Sequence, residues 1–258
     1  NITILLPIHK FDKDEIIMMS NCLNSIENFH NDVKLAIICP PKIKSEIEKF
    51  NFSQKLEYKI IENKTKNYNF QSQINVGIEN CDTEWFSILE IDDEYTKNWL
   101  SSFNEYLLAY NDVDVFLPIV IDVTTSGKFM TFMNESVWAQ GFADKIGYLN
   151  NEILLDYPNY QTSGGIYKTE VIKKYGGFKD NIKLTFSYEF LLRLTHNNVN
   201  IMVIPVSSYQ HVNFRENSLF WNYKNVDKLT EDEINFWQEA AKKEYFFKNK
   251  REINYVKP

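Results

Sequence analysis

The sequence has few cysteines and no excess of positive charge, and each of these features excludes a class of protein. Its 3 cysteines form no Cys-x-x-Cys pair, so neither a disulfide framework nor a zinc knuckle is indicated. We expect buried thiols in a reducing compartment. A net charge of -7 disfavours nucleic acid as a partner, because binding a polyanion requires a basic face.

Long apolar runs are also missing. None approaches the roughly 20 residues that span a bilayer, and the apolar fraction of 44% suits a globular core, so we expect a cytoplasmic protein. The basic run Lys242-Lys-Glu-Tyr-Phe-Phe-Lys-Asn-Lys-Arg251 leaves two alternatives open. It is either a solvated helix or a C-terminal helix that makes a peripheral contact with an anionic membrane.

The sequence does contain a regular alternation of strand and helix patterns over residues 1–123. Near-continuous apolar runs predict buried strands, and helical patterns fill the intervals between them, as a parallel sheet requires. The predicted strands cover 2–8, 33–39, 58–61, 85–89 and 115–123. This pattern predicts a doubly wound α/β fold, in which ligands bind beyond the carboxyl ends of the strands.

After residue 123 the alternation is lost, and an irregular stretch rich in glycine, asparagine and aromatics is expected to form a binding wall or lid. Regular patterns then predict helices at 169–175 and 188–196, a strand at 200–205, and a helix opened by the capping box Thr230-x-x-Glu233. We divide the chain into a main domain with two parts and a C-terminal helical extension. The boundaries are 1–212 (parts 1–123 and 124–212) and 213–258.

Four carboxylates follow the fourth predicted strand within five positions, in Glu90-Ile-Asp-Asp-Glu94. At the end of an apolar strand they would repel one another and lose hydration unless a cation or polar ligand compensated. Mg²⁺ and Mn²⁺ prefer such oxygen ligands and share their remaining positions with substrate phosphates. The alternative is an acidic turn that caps the next helix.

Six segments, in this order, resemble landmarks of the family 2 glycosyltransferases. They are Ile4-Leu-Leu-Pro-Ile-His9, Asn75-x-Gly77-Ile78, Phe86-Ser-Ile-Leu-Glu-Ile-Asp-Asp93, Ser163-Gly-Gly-Ile-Tyr-Lys168, Gly176-Gly-Phe178 and Leu191-Leu-Arg-Leu194. The resemblance implies the GT-A fold, which is Rossmann-like with a mostly parallel central sheet flanked by helices. It also implies an inverting transferase of the hexosyltransferase type, with a nucleotide-diphosphate sugar as donor and a glycan, lipid-linked or protein acceptor.

The resemblance also assigns roles around the acidic segment, which is similar to the family's Asp-x-Asp motif. Asp92 takes the place of the carboxylate that binds Mn²⁺ or Mg²⁺ on the donor diphosphate, and Glu90 replaces the usual first Asp near the ribose. Asp93 is expected to orient the site or the acceptor. His211 is expected to complete the metal site and Arg215 to reach a phosphate, although His211 also fits a loop histidine bound to a backbone carbonyl.

The resemblance places other donor contacts at Pro7, Ile8, His9 and Asn75, and Glu62, after the third predicted strand, is a substitute hydrogen-bond partner for the base. A UDP-sugar is the expected donor, but the chain departs from the family in two places that concern the base. It has Ile38-Cys-Pro-Pro-Lys42 where relatives commonly have aspartates, and Ile74 where they often have arginine. The nucleotide base therefore stays open, and His9 fits a packing role as well.

The general base of the family lies in a Glu-Asp pair, and this chain has Phe186 and Ser187 at those positions. Glu189 is the nearest carboxylate and the candidate base. Its alternative is a helical ion pair with Arg193, four residues later. The missing pair keeps a second function open, a catalytically inactive nucleotide- or sugar-binding module.

Two other enzyme classes fit the sequence less well. A nucleotidyltransferase would require a glycine-rich first loop, and none follows Ile4-Leu-Leu-Pro7. A glycoside hydrolase would require two carboxylates on opposite sides of a sugar cleft, not several at the end of one strand.

Overall fold

The computed structural model describes residues 2–247 of the chain. They form an α/β fold in which helices flank one sheet of mixed parallel and antiparallel strands. The strands are β1 (Ile2–Pro7), β2 (Val33–Cys39), β3 (Tyr58–Glu62), β4 (Trp85–Ile88), β5 (Glu94–Tyr95), β6 (Val115–Val123), β7 (Phe129–Met133), β8 (Tyr148–Leu149), β9 (Ile166–Lys168) and β10 (Ile201–Val212). The helices are α1 (Lys13–Ile26), α2 (Pro41–Ile47), α3 (Phe70–Glu79), α4 (Trp99–Ala109), α5 (Asn151–Asp156), α6 (Thr169–Tyr175), α7 (Phe186–His196), α8 (Leu219–Asn225) and α9 (Glu231–Lys242).

The strand order is β3-β2-β1-β4-β9-β6-β10-β5, with β7 on β6 and β8 on β10. β3, β2, β1 and β4 are parallel, as are β6 and β10, while β9 runs antiparallel between β4 and β6. The carboxyl ends of β1, β4, β6 and β10 therefore lie along one edge of the sheet. This edge is where a ligand site is expected in such a fold.

The expected parts 1–123 and 124–212 share this sheet, because β9 and β10 of the second part flank β6 of the first. β10 is also longer than its predicted counterpart at 200–205. Its pairing with β6 is irregular between Ile204 and Tyr209, and Pro205 lies in that irregular stretch, where a missing N–H is tolerated. The strand then continues to Val212 and carries His211 to the ligand edge.

Apolar clusters pack on both sides of the sheet, and all 3 cysteines are free and buried, as expected. The buried face of α1 includes a carboxylate. Ile16 and Ile17 are exposed, whereas Glu15 is only 2% exposed and points toward the ligand edge. The apolar pattern located the helix, but it did not show that a carboxylate would lie on its inner face.

The C-terminal segment packs against the main domain. The ring of Phe220 in α8 stacks on Phe186 of α7 with centroids 5.9 Å apart, and the predicted cap forms, since Thr230 accepts a hydrogen bond from the Glu233 amide. No helix within residues 2–247 is long and apolar enough to cross a membrane. The end of the basic run, 248–251, lies outside the described residues, so its membrane contact stays a prediction.

Candidate functional site

A cavity of about 620 Å³ opens at the carboxyl ends of β1, β4, β6 and β10. Residues 158–163, the start of α7 and the segment 213–220 form its other walls. Cavities on the order of 300 to 1,000 Å³ accommodate small ligands. Because the acidic segment, the irregular stretch and the C-terminal segment all meet here, we take this cavity as the candidate active site.

Of the four carboxylates in the acidic segment, two line the cavity and a third lies beneath it. Glu90 and Asp92 line the cavity, while Asp93 is fully buried. Asp93 accepts hydrogen bonds from the Tyr209 hydroxyl at 2.8 Å, the Val212 amide at 2.8 Å and His211 Nδ1 at 3.0 Å. Its carboxylate thereby ties the acidic turn to the end of β10.

Glu90, Asp93 and His211 each offer a ligand atom within 4.8 Å of the other two. Burial together with the charge of Asp93 raises the pKa of Glu90 to about 8. Burial opposes protonation of His211, but Asp93, Glu90 and Asp92 outweigh it and raise its pKa to about 10. Because its Nδ1 is fixed by a carboxylate, the other ring nitrogen of His211 is left for a ligand, an arrangement common around metals. The donor set fits a divalent cation.

The Ser163-Gly164-Gly165 landmark comes just before β9, the strand that pairs with β4, and it contacts the acidic segment. The Ser163 hydroxyl donates a 2.7 Å hydrogen bond to Glu90 Oε1. Gly164 has φ +78°, and a Cβ there would overlap the Tyr209 ring. Only glycine allows this backbone to pass the tyrosine that donates to Asp93.

Asp92 forms an ion pair with Arg215 at 2.6 Å across the cavity wall. The guanidinium also lies 3.6 Å from Glu15, which in turn is 3.0 Å from Lys10. Sequence reasoning identified Asp92 and Arg215 but missed Glu15. Asp92 and Arg215, the two side chains expected to act on the donor diphosphate, therefore bind each other.

The predicted donor loop is partly in the cavity. Pro7 and His9 line it, whereas Ile8 is 1% exposed and belongs to the apolar core. His9 Nδ1 lies 2.6 Å from Gln73 Nε2 and 3.0 Å from the Tyr68 carbonyl oxygen. Burial lowers the pKa of His9 to about 4, so the ring is neutral at physiological pH.

Glu62 and Asn75 do not line the cavity. Glu62, the last residue of β3, forms an ion pair with Lys44 at 3.0 Å. Asn75 Nδ2 donates a 2.7 Å hydrogen bond to the Phe178 carbonyl oxygen, and Asn75 Oδ1 accepts a 2.8 Å hydrogen bond from the Phe178 amide. A Cβ on Gly177 would overlap that amide. Two landmarks of the sequence thus bind each other, and Asn75 holds the loop after α6.

Glu189 is also directed away from the cavity, which is a correction to its expected place beside the acceptor. It is 2% exposed and binds Arg193 Nε at 3.0 Å, Lys179 at 3.1 Å and the Tyr245 hydroxyl at 2.7 Å. Burial raises the pKa of Glu189, but these partners outweigh it and the pKa lies below its usual value. The helical ion pair, the alternative left open by the sequence, is what the structure contains. Ser187 does line the cavity.

Asp122, near the end of β6, is a cavity residue that sequence reasoning missed. It is 3% exposed, and its Oδ2 accepts a 2.9 Å hydrogen bond from Asn213. Its Oδ1 has no hydrogen-bond partner among the described residues. The available signal was a charged residue at the carboxyl end of an otherwise apolar strand.

A family model matches this chain, and solved structures share its fold. The model of glycosyl transferase family 2 matches residues 40–176, more than half of the chain. The crystal structure of S. aureus TarS 1-349 superposes with a TM-score of 0.62 at 15% identity, over 82% of this chain and 60% of that chain. Its complex with UDP-GlcNAc gives a TM-score of 0.65 at 14% identity, over 85% and 60%. No curated protein sequence matches.

The TarS likeness shows the fold alone, and this chain spans less than two thirds of TarS 1-349. It confirms the predicted GT-A fold, and the structure has a curled central sheet flanked by helices. Because the family model covers residues 40–176, more than half of the chain, the chain belongs to glycosyl transferase family 2.

Proposed function

We propose that the chain is an inverting, metal-dependent glycosyltransferase of the hexosyltransferase type. It moves a sugar from a nucleotide-diphosphate sugar, in the first place a UDP-sugar, to a glycan, lipid-linked or protein acceptor. The observation that carries the proposal is the meeting of Glu90, Asp92, His211 and Arg215 around one cavity at the carboxyl edge of the sheet. The S. aureus TarS structures in complex with UDP and with UDP-GlcNAc support the donor class.

Glu90 and His211, which with Asp93 form the cluster of candidate ligand atoms, would hold Mn²⁺ or Mg²⁺, with imidazole favouring Mn²⁺. Asp92 lies outside that cluster and would join the cation on leaving Arg215. When bound, the cation neutralises the charge that builds on the departing diphosphate. Asp93 acts through His211, whose ring it orients. Arg215 offers a planar guanidinium that suits a phosphate, and Asp92 and Glu15 hold it at the cavity wall until a donor arrives.

A second candidate function rests on one observation. Phe186 and Ser187 line the cavity at the positions of the family's acidic pair, and Glu189 is engaged in a buried ion-pair cluster. A chain without a base would bind a nucleotide sugar without transferring it. This second function is a GT-A-like binding module.

Donor turnover separates the two functions. Purified protein is incubated with Mn²⁺ and UDP-GlcNAc, UDP-glucose or UDP-galactose, and UDP release is measured with water as acceptor, with a chelator-treated sample as control. Release that requires Mn²⁺ supports the transferase. UDP binding without release supports the binding module, and neither binding nor release contradicts both.

A further inference from the structure

The carboxyl end of β6 places a carboxylate directly beside the candidate metal site. In the sheet, Asp122 is the Cα partner of His211 on β10 and of Thr131 on β7. All three residues line the cavity. Because register partners on neighbouring strands lie side by side, Asp122 borders the same space as the imidazole that would bind the metal.

Asp122 has an unusual environment for a structural carboxylate. Its side chain is almost entirely buried, and Asn213 fixes one oxygen at 2.9 Å. The other oxygen is buried and has no hydrogen-bond partner among the described residues. An unpaired buried acceptor is costly, so packing gives no reason for it. A hydroxyl entering the cavity would supply the missing hydrogen bond.

The other acidic residues that line the cavity already have partners. Glu90 accepts from Ser163 and belongs to the cluster with His211. Asp92 forms an ion pair with Arg215 at 2.6 Å. Among the described cavity residues, Asp122 is the carboxylate with neither a cationic partner nor a place in that cluster.

We infer that Asp122 is the base that accepts the proton of the acceptor hydroxyl, in place of the absent acidic pair at Phe186 and Ser187. The inference rests on the proposed function. The hydroxyl proton passes to Asp122 Oδ1 while the hydroxyl oxygen forms a bond to the anomeric carbon. The bond from that carbon to the diphosphate oxygen breaks, and its electron pair leaves with the nucleoside diphosphate. Asn213 holds the carboxylate in position.

The test compares Asp122→Asn with Asp114→Asn. Asn keeps the shape of the side chain and an oxygen for the Asn213 hydrogen bond. Asp114 precedes the other end of the same strand, where it accepts a 3.4 Å hydrogen bond from the Asn200 amide, so its variant is the matched control. The readouts are UDP release from the three UDP-sugars with Mn²⁺ and UDP affinity by calorimetry.

We expect Asp122→Asn to lower the rate of UDP release about 100-fold to 10,000-fold, the usual contribution of a general base, while UDP affinity stays at the wild-type value. Asp114→Asn is expected to match the wild type in both. A second variant, Asp122→Ser, removes the carboxylate with a smaller side chain and is expected to show the same separation of rate from affinity.

Wild-type release rates in Asp122→Asn, measured beside an active wild type, would overturn the inference and leave the proposed function intact. Parallel losses of UDP affinity and thermal stability in both Asp122 variants would also overturn it, because they mark a structural carboxylate. A wild-type chain that releases UDP from none of the donors contradicts the proposed function, and the inference falls with it.

Discussion

His211 Nδ1 lies 3.0 Å from Asp93 Oδ2, so a fully buried carboxylate fixes the ring of a cavity histidine. The two residues come from different parts of the chain, the turn after β4 and the end of β10. The Tyr209 hydroxyl and the Val212 amide donate to the same carboxylate and hold it still. The orientation of a proposed metal ligand therefore depends on a residue that does not line the cavity.

Asp93→Asn is expected to weaken Mn²⁺ binding roughly 10-fold to 100-fold, because outer partners of metal-binding histidines contribute that much to affinity. The measurement is a Mn²⁺ titration followed by electron paramagnetic resonance. Asp112→Asn, which removes an exposed carboxylate remote from the cavity, is the control. Wild-type Mn²⁺ affinity in Asp93→Asn would show that the His211 ring needs no such support.

Gly164→Ala and Gly127→Ala form a matched pair of stability variants. Both glycines have positive φ, +78° and +77°, but a Cβ on Gly164 meets the Tyr209 ring whereas one on Gly127 meets nothing within 4 Å. Gly127→Ala should lower the free energy of unfolding by about 1 kcal/mol, from backbone strain alone. Gly164→Ala should lower it by at least about 2 kcal/mol more, because overpacking adds to the strain. Urea unfolding measures both, and equal losses would refute the close approach to Tyr209.

Asn75→Ala tests whether that landmark supports a loop or contacts the donor. Loss of both hydrogen bonds to Phe178 should lower the free energy of unfolding by about 2 to 3 kcal/mol, with UDP affinity unchanged. Asn80→Ala, which removes an exposed hydrogen bond to the Val76 carbonyl, is the control. A loss of UDP affinity at unchanged stability would instead place Asn75 in the donor site.

Glu189→Gln should lower the free energy of unfolding by roughly 3 kcal/mol at neutral pH, since a buried ion pair loses one partner. The folded-state pKa of Glu189 is depressed, so its contribution is present above the unfolded pKa near about 4.3 and is lost as pH falls through the folded value. The stability difference between wild type and variant should therefore shrink in acid. Thermal unfolding over a pH series measures it.

Glu244→Gln provides the control for that series, because Glu244 is exposed and lies 3.5 Å from the same Lys179. It should have little effect at any pH. If Glu189→Gln kept wild-type stability and abolished sugar transfer, Glu189 would regain the role of base that the sequence suggested.

Local sequence patterns predicted much of the fold, and the exceptions have physical causes. The bounds of β2, β6 and α6 match their patterns, because apolar runs and helical periodicity are local signals. The antiparallel β9 between β4 and β6 was not foreseen, since three residues of strand carry no information about their neighbours.

The residues of the candidate site were also predictable where the signal is local and unpredictable where it depends on tertiary contacts. The acidic turn after β4 is visible in the sequence, and its partners His211 and Arg215 were among the predicted residues. The Glu189–Arg193 ion pair was an alternative that the sequence offered, because the two residues are one helical turn apart. The contacts of Glu189 with Tyr245 and of Asp122 with Asn213 were not predictable, because they join residues that are remote in the chain. A local pattern identifies a carboxylate, but tertiary contacts decide whether that carboxylate lines a cavity or pairs with a basic side chain.

The central claim is that the acidic edge of the sheet binds a nucleotide diphosphate through a divalent cation. Calorimetric titration of UDP into the wild type and Asp92→Ala, each with Mn²⁺ and with chelator, tests it most directly. We predict that chelation weakens UDP binding to the wild type at least about 10-fold and that this difference disappears in Asp92→Ala. Equal UDP affinity of the wild type with Mn²⁺ and with chelator would contradict the account.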